Sequence, residues 1–433
     1  MVSTTAIVAG AARRLPVHYG WVVVALGILS NTVSGGALFW AVSLYIPTVS
    51  EDMGVGRTPV VAVFVIGQTI YAFAGPFAGR FIDRQGARAA ILIGAVVTPV
   101  AFIATSMSDA LWQLAIGWSV IGLARAMIMP VPFNWLITRW FEGRRRQAAL
   151  GVSTVGFGLG GAVMLPLLAR LVEVGSWPLA MVASGIALGV VQAIAGLLVV
   201  DRPRDAGLRP VVSADEERDA DAGPLEEWGF TTSQALRSPA FWLMSFAILL
   251  FFLGQASVIT LALDFFDSRG LVAGASILGA SALFSTLARL PLGLGLARVR
   301  NVYRLVILVA CGQAIAVTAL VISTSLPGIV FWVVLWGTGS AFAPMIEPLL
   351  TSRAFGVRHF GALSGIVALL SLTGQNLGAI GGAALFDLTG SYTVPFSLYA
   401  GGFAVCAGLL VLFTRALATP GHRARAAAQG AEG

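Results

Sequence analysis

The chain has 433 residues, of which 57% are hydrophobic and 11% are charged, and its mean hydropathy is +0.87. A soluble domain carries about 25% charged residues, so this balance excludes an ordinary water-soluble fold. The net charge of +7 does not indicate a nucleic-acid partner, because the chain has no lysine and nearly all its arginines lie between apolar segments.

Twelve apolar segments are long enough to cross a membrane, since a spanning helix needs about 20 mainly apolar residues. The first of them is too long for the core of a signal peptide. In chain order the segments lie at 19–45, 59–79, 89–107, 110–137, 147–169, 177–200, 240–263, 271–297, 302–323, 327–349, 360–386 and 393–415. The pattern predicts an all-α integral membrane protein.

One long polar stretch, residues 201–239, separates the sixth segment from the seventh. It contains the charged run 215–219 and a Gly-Pro pair at 223–224. We therefore expect a first six-helix half over residues 1–200, a cytoplasmic linker over 201–239, and a second six-helix half with a short cytoplasmic tail over 240–433.

The two halves match each other when the chain is shifted by 214 residues without a gap. Gly79 then aligns with Gly293, and Pro130 aligns with Pro344. An internal repeat of this length fixes the architecture before any local assignment is made. Duplicated membrane halves in the same orientation are typical of one large class of secondary transporters.

The arginines set the orientation of the segments. With both termini in the cytoplasm, 22 of the 27 arginines fall on cytoplasmic ends and loops. Cytoplasmic loops carry the excess of positive charge in membrane proteins. We therefore expect a multi-pass protein of the plasma (inner) membrane with both termini cytoplasmic. We also expect it to function as a monomer.

A motif lies between the second and third segments, where residues 79–88 read Gly-Arg-Phe-Ile-Asp-Arg-Gln-Gly-Ala-Arg. It resembles the signature loop of the major facilitator superfamily, G-x3-D-[RK]-x-G-x-[RK]. The motif combines a tight turn at glycine with a carboxylate at a helix end and with cations that pair with that carboxylate. The resemblance implies the twelve-helix major facilitator fold, in which this loop latches the two halves. It gives a gating role to Gly79, Asp83, Arg84, Gly86 and Arg88.

Three further segments resemble the monocarboxylate transporter and oxalate/formate antiporter branch of that superfamily. They are Tyr19–Val24, Trp140-Phe141 with the arginines at 144–146, and Asp387–Tyr392. The resemblance implies a secondary transporter that moves a small organic anion, a mono- or dicarboxylate, by proton symport or anion exchange. It also implies alternating access around a midplane site.

Two arginines, Arg125 and Arg289, lie inside predicted spans. A charged side chain at the bilayer centre costs about 2.5–3.5 kcal/mol on insertion scales, so each of these arginines needs a structural or functional explanation. Either guanidinium can hold a carboxylate through two parallel hydrogen bonds, or it is structural and binds backbone carbonyls. Arg289 closes the pattern Ser285-x3-Arg289 where the branch has D-x3-R, so the resemblance gives it a substrate role.

Four other residues are candidates for the substrate site. Ser285 lies one turn before Arg289 on the same face, Asn31 lies in the first span, and Gln375 lies in the eleventh. Phe39 follows a glycine pair and is placed to wall the site. Each is alternatively a packing residue, since polar groups in membrane helices often join helices together.

Glu347 lies inside the tenth predicted span, where it either pairs with Arg353 or takes part in proton coupling. Cys311 and Cys406 lie in different segments and offer neither a disulfide framework nor metal-ligand spacing. No catalytic arrangement is visible, so we expect a carrier without a cofactor or metal and not an enzyme. An efflux carrier for amphipathic or drug-like compounds is the alternative, although a cation exporter is expected to have an acid in its cavity.

Overall fold

A computed structural model describes residues 18–211, 229–296, 301–323, 325–356 and 360–419. The chain divides into two compact units, Met1–Gly223 and Pro224–Gly433. Within the described residues the only β-structure consists of two isolated bridges, and nearly everything else is helical.

The first unit begins with a long apolar helix that is interrupted by a π-helical turn at Gly36–Trp40. Its helices in chain order are α1 (Tyr19–Gly35), α2 (Val42–Met53), α3 (Arg57–Gln85), α4 (Ala87–Ser106), α5 (Leu111–Ile128), α6 (Val131–Trp140), α7 (Gly143–Ser153), α8 (Val155–Leu159) and α9 (Leu165–Leu198).

The second unit opens with a short helix whose N-terminus carries a capping box, because Thr231 and Gln234 each bond the other's backbone N–H. Its helices are α10 (Thr232–Leu236), α11 (Pro239–Ser268), α12 (Gly274–Leu296), α13 (Val302–Ile322), α14 (Leu326–Phe355), α15 (Phe360–Thr389) and α16 (Thr393–Leu417).

Ten helical stretches in the described part of the chain are long and apolar enough to cross a membrane. One of them, Ala148–Leu198, has 51 residues and contains two predicted spans, because Gly175 and Ser176 leave the helical conformation. The 23-residue helix α12 covers the predicted eighth span. Together these helices account for all twelve predicted segments.

The fourth predicted span, 110–137, is wrong as a continuous helix. Helix α5 ends at Ile128, Met129 is extended, and α6 begins at Val131. The reason is Pro130, which disfavours the helical conformation of the residue before it and has no N–H to donate. This break places Arg125 in the last turn of α5.

The predicted glycine turn of the signature motif is shorter than expected. Helix α3 runs on through Gly79, Asp83 and Arg84 to Gln85, so these three residues are helical. The chain turns only at Gly86, whose φ of +89° is in the region that favours glycine. The predicted end of this helix at residue 79 is therefore wrong, because Gly79 was assigned to the turn and the helix continues to Gln85.

The two ends of the predicted linker pack against helices. At its start, Val211 forms a parallel bridge with Phe141 in the first unit. At its end, Gly229 bridges Gly356 and the N–H of Phe230 donates to the carbonyl of Phe355 at 2.9 Å. The charged run 215–219 and the Gly-Pro pair lie outside the described residues.

Candidate functional site

Two glycines bring α3 and α5 into close contact in the first unit. A Cβ added at Gly122 would overlap the carbonyl oxygen of Gly67, and a Cβ at Gly67 would overlap the ring of Trp118. The backbones approach this closely because neither residue has a side chain. The contact fixes the register of the two helices one residue before Gln68 and three residues before Arg125.

Arg125 is almost fully buried in this contact, with 8% of its surface exposed. Its Nη1 donates to Oε1 of Gln68 at 2.8 Å, and its guanidinium carbon lies 4.2 Å from the ring centroid of Tyr71. Its Nε is buried and has no hydrogen-bond partner among the described residues. Both partners are neutral, and no carboxylate pairs with this cation within the described ranges.

Neutral groups compensate only part of the charge of Arg125. The end of α5 contributes partial negative charge from its last carbonyls, and the face of Tyr71 attracts the cation. A guanidinium has five N–H donors, and Gln68 accepts a hydrogen bond from one of them. The remaining donors give this residue the chemistry of an anion site.

Arg289 lies on α12 in the second unit and is partly buried. Ser285 and Ser281, one and two turns before it on the same face, are both buried. The hydroxyl of Ser281 donates to the carbonyl of Leu278 in its own helix at 2.7 Å, so this serine is already hydrogen-bonded within α12. Ser285 and Arg289 are the other two polar members of this stripe.

Asn31 and Phe39 make packing contacts in the first unit. The Nδ2 of Asn31 donates to the carbonyl of Ser153 at 2.9 Å and joins α1 to the end of α7. The Oδ1 of Asn31 is buried without a hydrogen-bond partner among the described residues. Phe39 lies in the π-helical turn, with its ring centroid 4.9 Å from that of Phe157 and 5.4 Å from that of Trp40.

Glu347 lies on α14 and Gln375 lies on α15, and both are partly buried. The Ser364 hydroxyl of α15 bonds the Glu347 carboxylate. In the part of the chain that the structure describes, Glu347 forms no ion pair with Arg353. Of the two sequence alternatives for Glu347, pairing with Arg353 is therefore wrong in this conformation.

The signature motif is held by two residues that the sequence analysis missed. The indole Nε1 of Trp135 donates to Oδ1 of Asp83 at 2.8 Å. Oδ1 of Asp201 accepts from the backbone N–H of Arg88 at 3.0 Å. Burial raises the pKa of the Asp201 carboxyl above its ordinary value, and the backbone donors offset this only in part.

Three further polar residues escaped the sequence analysis. Gln68 and Tyr71 share one face of α3 at a spacing of three residues, which is a readable signal in an apolar segment. Asp264 is 5% exposed and lies in α11, which continues five residues past its predicted end at 263. Asp264 is therefore a carboxylate within a helix of the second unit, in addition to Glu347.

Residues 28–371 match the Major Facilitator Superfamily, which is most of the chain. This chain belongs to the major facilitator superfamily. It is a multi-pass integral membrane carrier and not an enzyme.

Curated relatives and solved structures agree with this assignment. The chain is 23% identical over 368 residues to the oxalate:formate antiporter of Oxalobacter formigenes, covering 83% of this chain and 84% of that protein. It is 28% identical over 199 residues to the hexuronate transporter of Escherichia coli (strain K12), covering 46% and 44%. A crystal structure of a POT family transporter in complex with 5-aminolevulinic acid has a TM-score of 0.70 at 13% identity, covering 92% and 96%, and shows a shared fold.

Proposed function

We propose that this carrier moves a small organic anion, a mono- or dicarboxylate, across the membrane by alternating access. One observation carries the proposal. Arg125 is a cation with 8% exposure whose described partners, Gln68 and Tyr71, are both neutral. A buried charge without a counter-ion is costly, and an anionic substrate supplies the missing negative charge.

The carboxylate binds the free donors of Arg125 beside the Gln68 amide. The planar guanidinium favours a carboxylate because two parallel N–H donors match its two oxygens. In the second unit, Arg289 and Ser285 offer a guanidinium and a hydroxyl to an anion. Asn31, Gln375 and Phe39 are assigned to the substrate site in the same proposal.

The relatives support this substrate class. The names of the matched carriers state oxalate and formate in one case and hexuronate in the other. All of these are organic acids that carry a carboxylate at neutral pH. The shared chemistry is the carboxylate and not the size of the molecule, which agrees with a site built on arginine.

Glu347 is the group to which we assign proton coupling, in case the carrier is a proton symporter. Its carboxylate is partly buried and bonded by a neutral hydroxyl, that of Ser364, so it can exchange a proton without breaking an ion pair. Anion exchange needs no such group. The proposed orientation has both termini in the cytoplasm and the motif of residues 79–88 on the cytoplasmic side of the plasma (inner) membrane.

Uptake into proteoliposomes tests this function. Labelled formate, oxalate, lactate and a hexuronate are offered to empty vesicles, to vesicles with an acidic exterior, and to vesicles preloaded with unlabelled acid. Symport predicts uptake driven by the pH gradient, whereas exchange predicts uptake only into preloaded vesicles. Transport of neutral or cationic amphipathic compounds in place of all these acids would contradict the proposal and favour drug efflux.

A further inference from the structure

A cavity of about 510 Å³ lies in the first unit beside the end of α6. The aliphatic atoms of Pro203 and Leu208 form part of its wall. Four arginines also line the cavity, and they are Arg139, Arg202, Arg204 and Arg209.

Backbone hydrogen bonds hold the segment that carries Arg202, Arg204 and Arg209 beside the end of α6, which carries Arg139. Residues 198–211, here called the strap, run from the end of α9 across the end of α6. The N–H of Val211 donates to the carbonyl of Trp140 at 2.9 Å. The imidazole of His18 bonds the carbonyl of Arg209 at 3.0 Å. Because the strap is held by its backbone, its arginine side chains remain available to the cavity.

Among the residues that the structure describes, no carboxylate lines this cavity. Asp201, in the strap itself, is directed to the backbone N–H of Arg88 at the start of α4. Asp205 is exposed and forms no ion pair with the four arginines, and neither does Glu142 within the described residues. Four like charges around one cavity repel one another, so an anion with several oxygens would stabilise the arrangement.

The need for positive charge at cytoplasmic ends does not explain this convergence. That rule counts arginines and does not require them to share a cavity. The internal repeat makes the comparison direct. Arg139 and Arg209 have equivalents in Arg353 and Arg423, but the positions equivalent to Arg202 and Arg204 hold Ala416 and Ala418. The first half thus has a cluster that orientation alone does not require.

We propose that this arginine cavity binds a phosphate-bearing anion, either a phospholipid headgroup or a soluble phosphate. A phosphate offers several oxygens to guanidinium donors and suits arginine for the same geometric reason as a carboxylate. The site has a path to the signature motif. The guanidinium carbon of Arg139 lies 3.7 Å from the ring centroid of Trp135, and Trp135 donates to Asp83. A phosphate bound at Arg139 is therefore connected to Asp83 of the motif through the ring of Trp135.

The test measures ligand binding to the purified full-length carrier by native mass spectrometry and by thermal stabilisation. Short-chain phosphatidylglycerol and inorganic phosphate are the two probes, and short-chain phosphatidylcholine is the net-neutral comparison. The cavity variant is Arg202→Gln with Arg209→Gln. The matched control is Arg353→Gln with Arg415→Gln, which removes two exposed arginines from the second unit.

We expect the affinity for the phosphate probe to fall at least about tenfold in the cavity variant and to stay at the wild-type value in the control. Preference for phosphatidylglycerol identifies a lipid headgroup, and binding of inorganic phosphate alone identifies a soluble ligand. Equal losses in both variants, or none in the cavity variant, would overturn the proposal. It is also overturned if phosphate binds only after neutralisation of the acidic run (Asp215→Asn, Glu216→Gln, Glu217→Gln and Asp219→Asn), because the linker then occupies the cavity.

Discussion

Asp201 accepts a hydrogen bond from the backbone N–H of Arg88 across 3.0 Å, so a carboxylate that follows α9 caps the start of α4. Gly86 makes this contact possible, because a Cβ at that position would overlap Oδ2 of Asp201. Glycine is therefore required at position 86 for two reasons, the positive φ of the backbone and the close approach of the Asp201 carboxylate. An arrangement of this kind ties the motif to the strap that follows α9.

The first prediction concerns the pH dependence of this cap. Because the pKa of Asp201 is raised in the fold, the folded protein binds this proton at a pH where the unfolded chain has released it. The free energy of unfolding should therefore fall as the pH rises through the folded pKa. In Asp201→Asn this contribution is absent. The difference in melting temperature, wild type minus variant, should be larger at about pH 4.5 than at about pH 7.5.

Two further variants control this measurement. Asp109→Asn changes an exposed carboxylate between α4 and α5 and should keep the wild-type slope. Asp201→Ala removes the acceptor altogether and should lower stability by about 1 kcal/mol, the usual value of an N-cap. A wild-type slope in Asp201→Asn would show that this carboxyl does not control the pH dependence.

The second prediction concerns Asp83. Asp83→Asn retains an oxygen that accepts from the indole of Trp135 but loses the negative charge. We expect normal insertion and melting temperature, slower turnover, and a smaller change in apparent affinity than in rate. Trp135→Phe removes the hydrogen bond and keeps an aromatic ring beside Arg139, so it separates the bond from the charge. If Asp83→Asn exchanges substrate at the wild-type rate, the loop is only a turn.

The sequence predicted the helical membrane fold because long apolar segments and arginine placement are local signals. It also singled out Arg125, since a cation in an apolar segment is rare. The partner of Arg125 was not predictable in this way, because Gln68 is 57 residues away and is brought near by the contact of two glycines. Asp201 was missed for the same reason, since its role depends on a helix end 113 residues earlier.

The third prediction concerns the glycine contact between α3 and α5. Gly122→Ala should separate the helices and destabilise the protein by about 1–3 kcal/mol, the usual effect of overpacking. It should also weaken substrate binding, because the last turn of α5, which carries Arg125, would be displaced. Gly79→Ala is the control in α3, since a Cβ there has no neighbour within 4 Å. It should be neutral or stabilising by about 0.5–1 kcal/mol, because alanine favours a helix over glycine. Thermal melts of both variants check the difference.

The fourth prediction tests the anion clamp at Arg125 and Arg289. Lysine keeps the charge of either arginine but loses the two-pronged donor geometry. Arg125→Lys and Arg289→Lys should each weaken binding of a carboxylate substrate by about 1.5–3 kcal/mol, the value of a charge-assisted hydrogen bond. Substrate-dependent thermal stabilisation, scored beside transport, gives the measurement. Wild-type binding in both variants would show that the two arginines are structural.

A sharper form of this test changes the partner and leaves Arg125 intact. Gln68→Glu has nearly the same shape as the native side chain and places a carboxylate at hydrogen-bond distance from Nη1 of Arg125. The internal ion pair should compete with the substrate and reduce its affinity at least about tenfold, while the melting temperature without substrate stays level or rises. Gln68→Leu removes the amide without adding charge, so it should retain substrate binding within a few fold. If Gln68→Glu binds carboxylates as wild type does, the anion does not bind at Arg125.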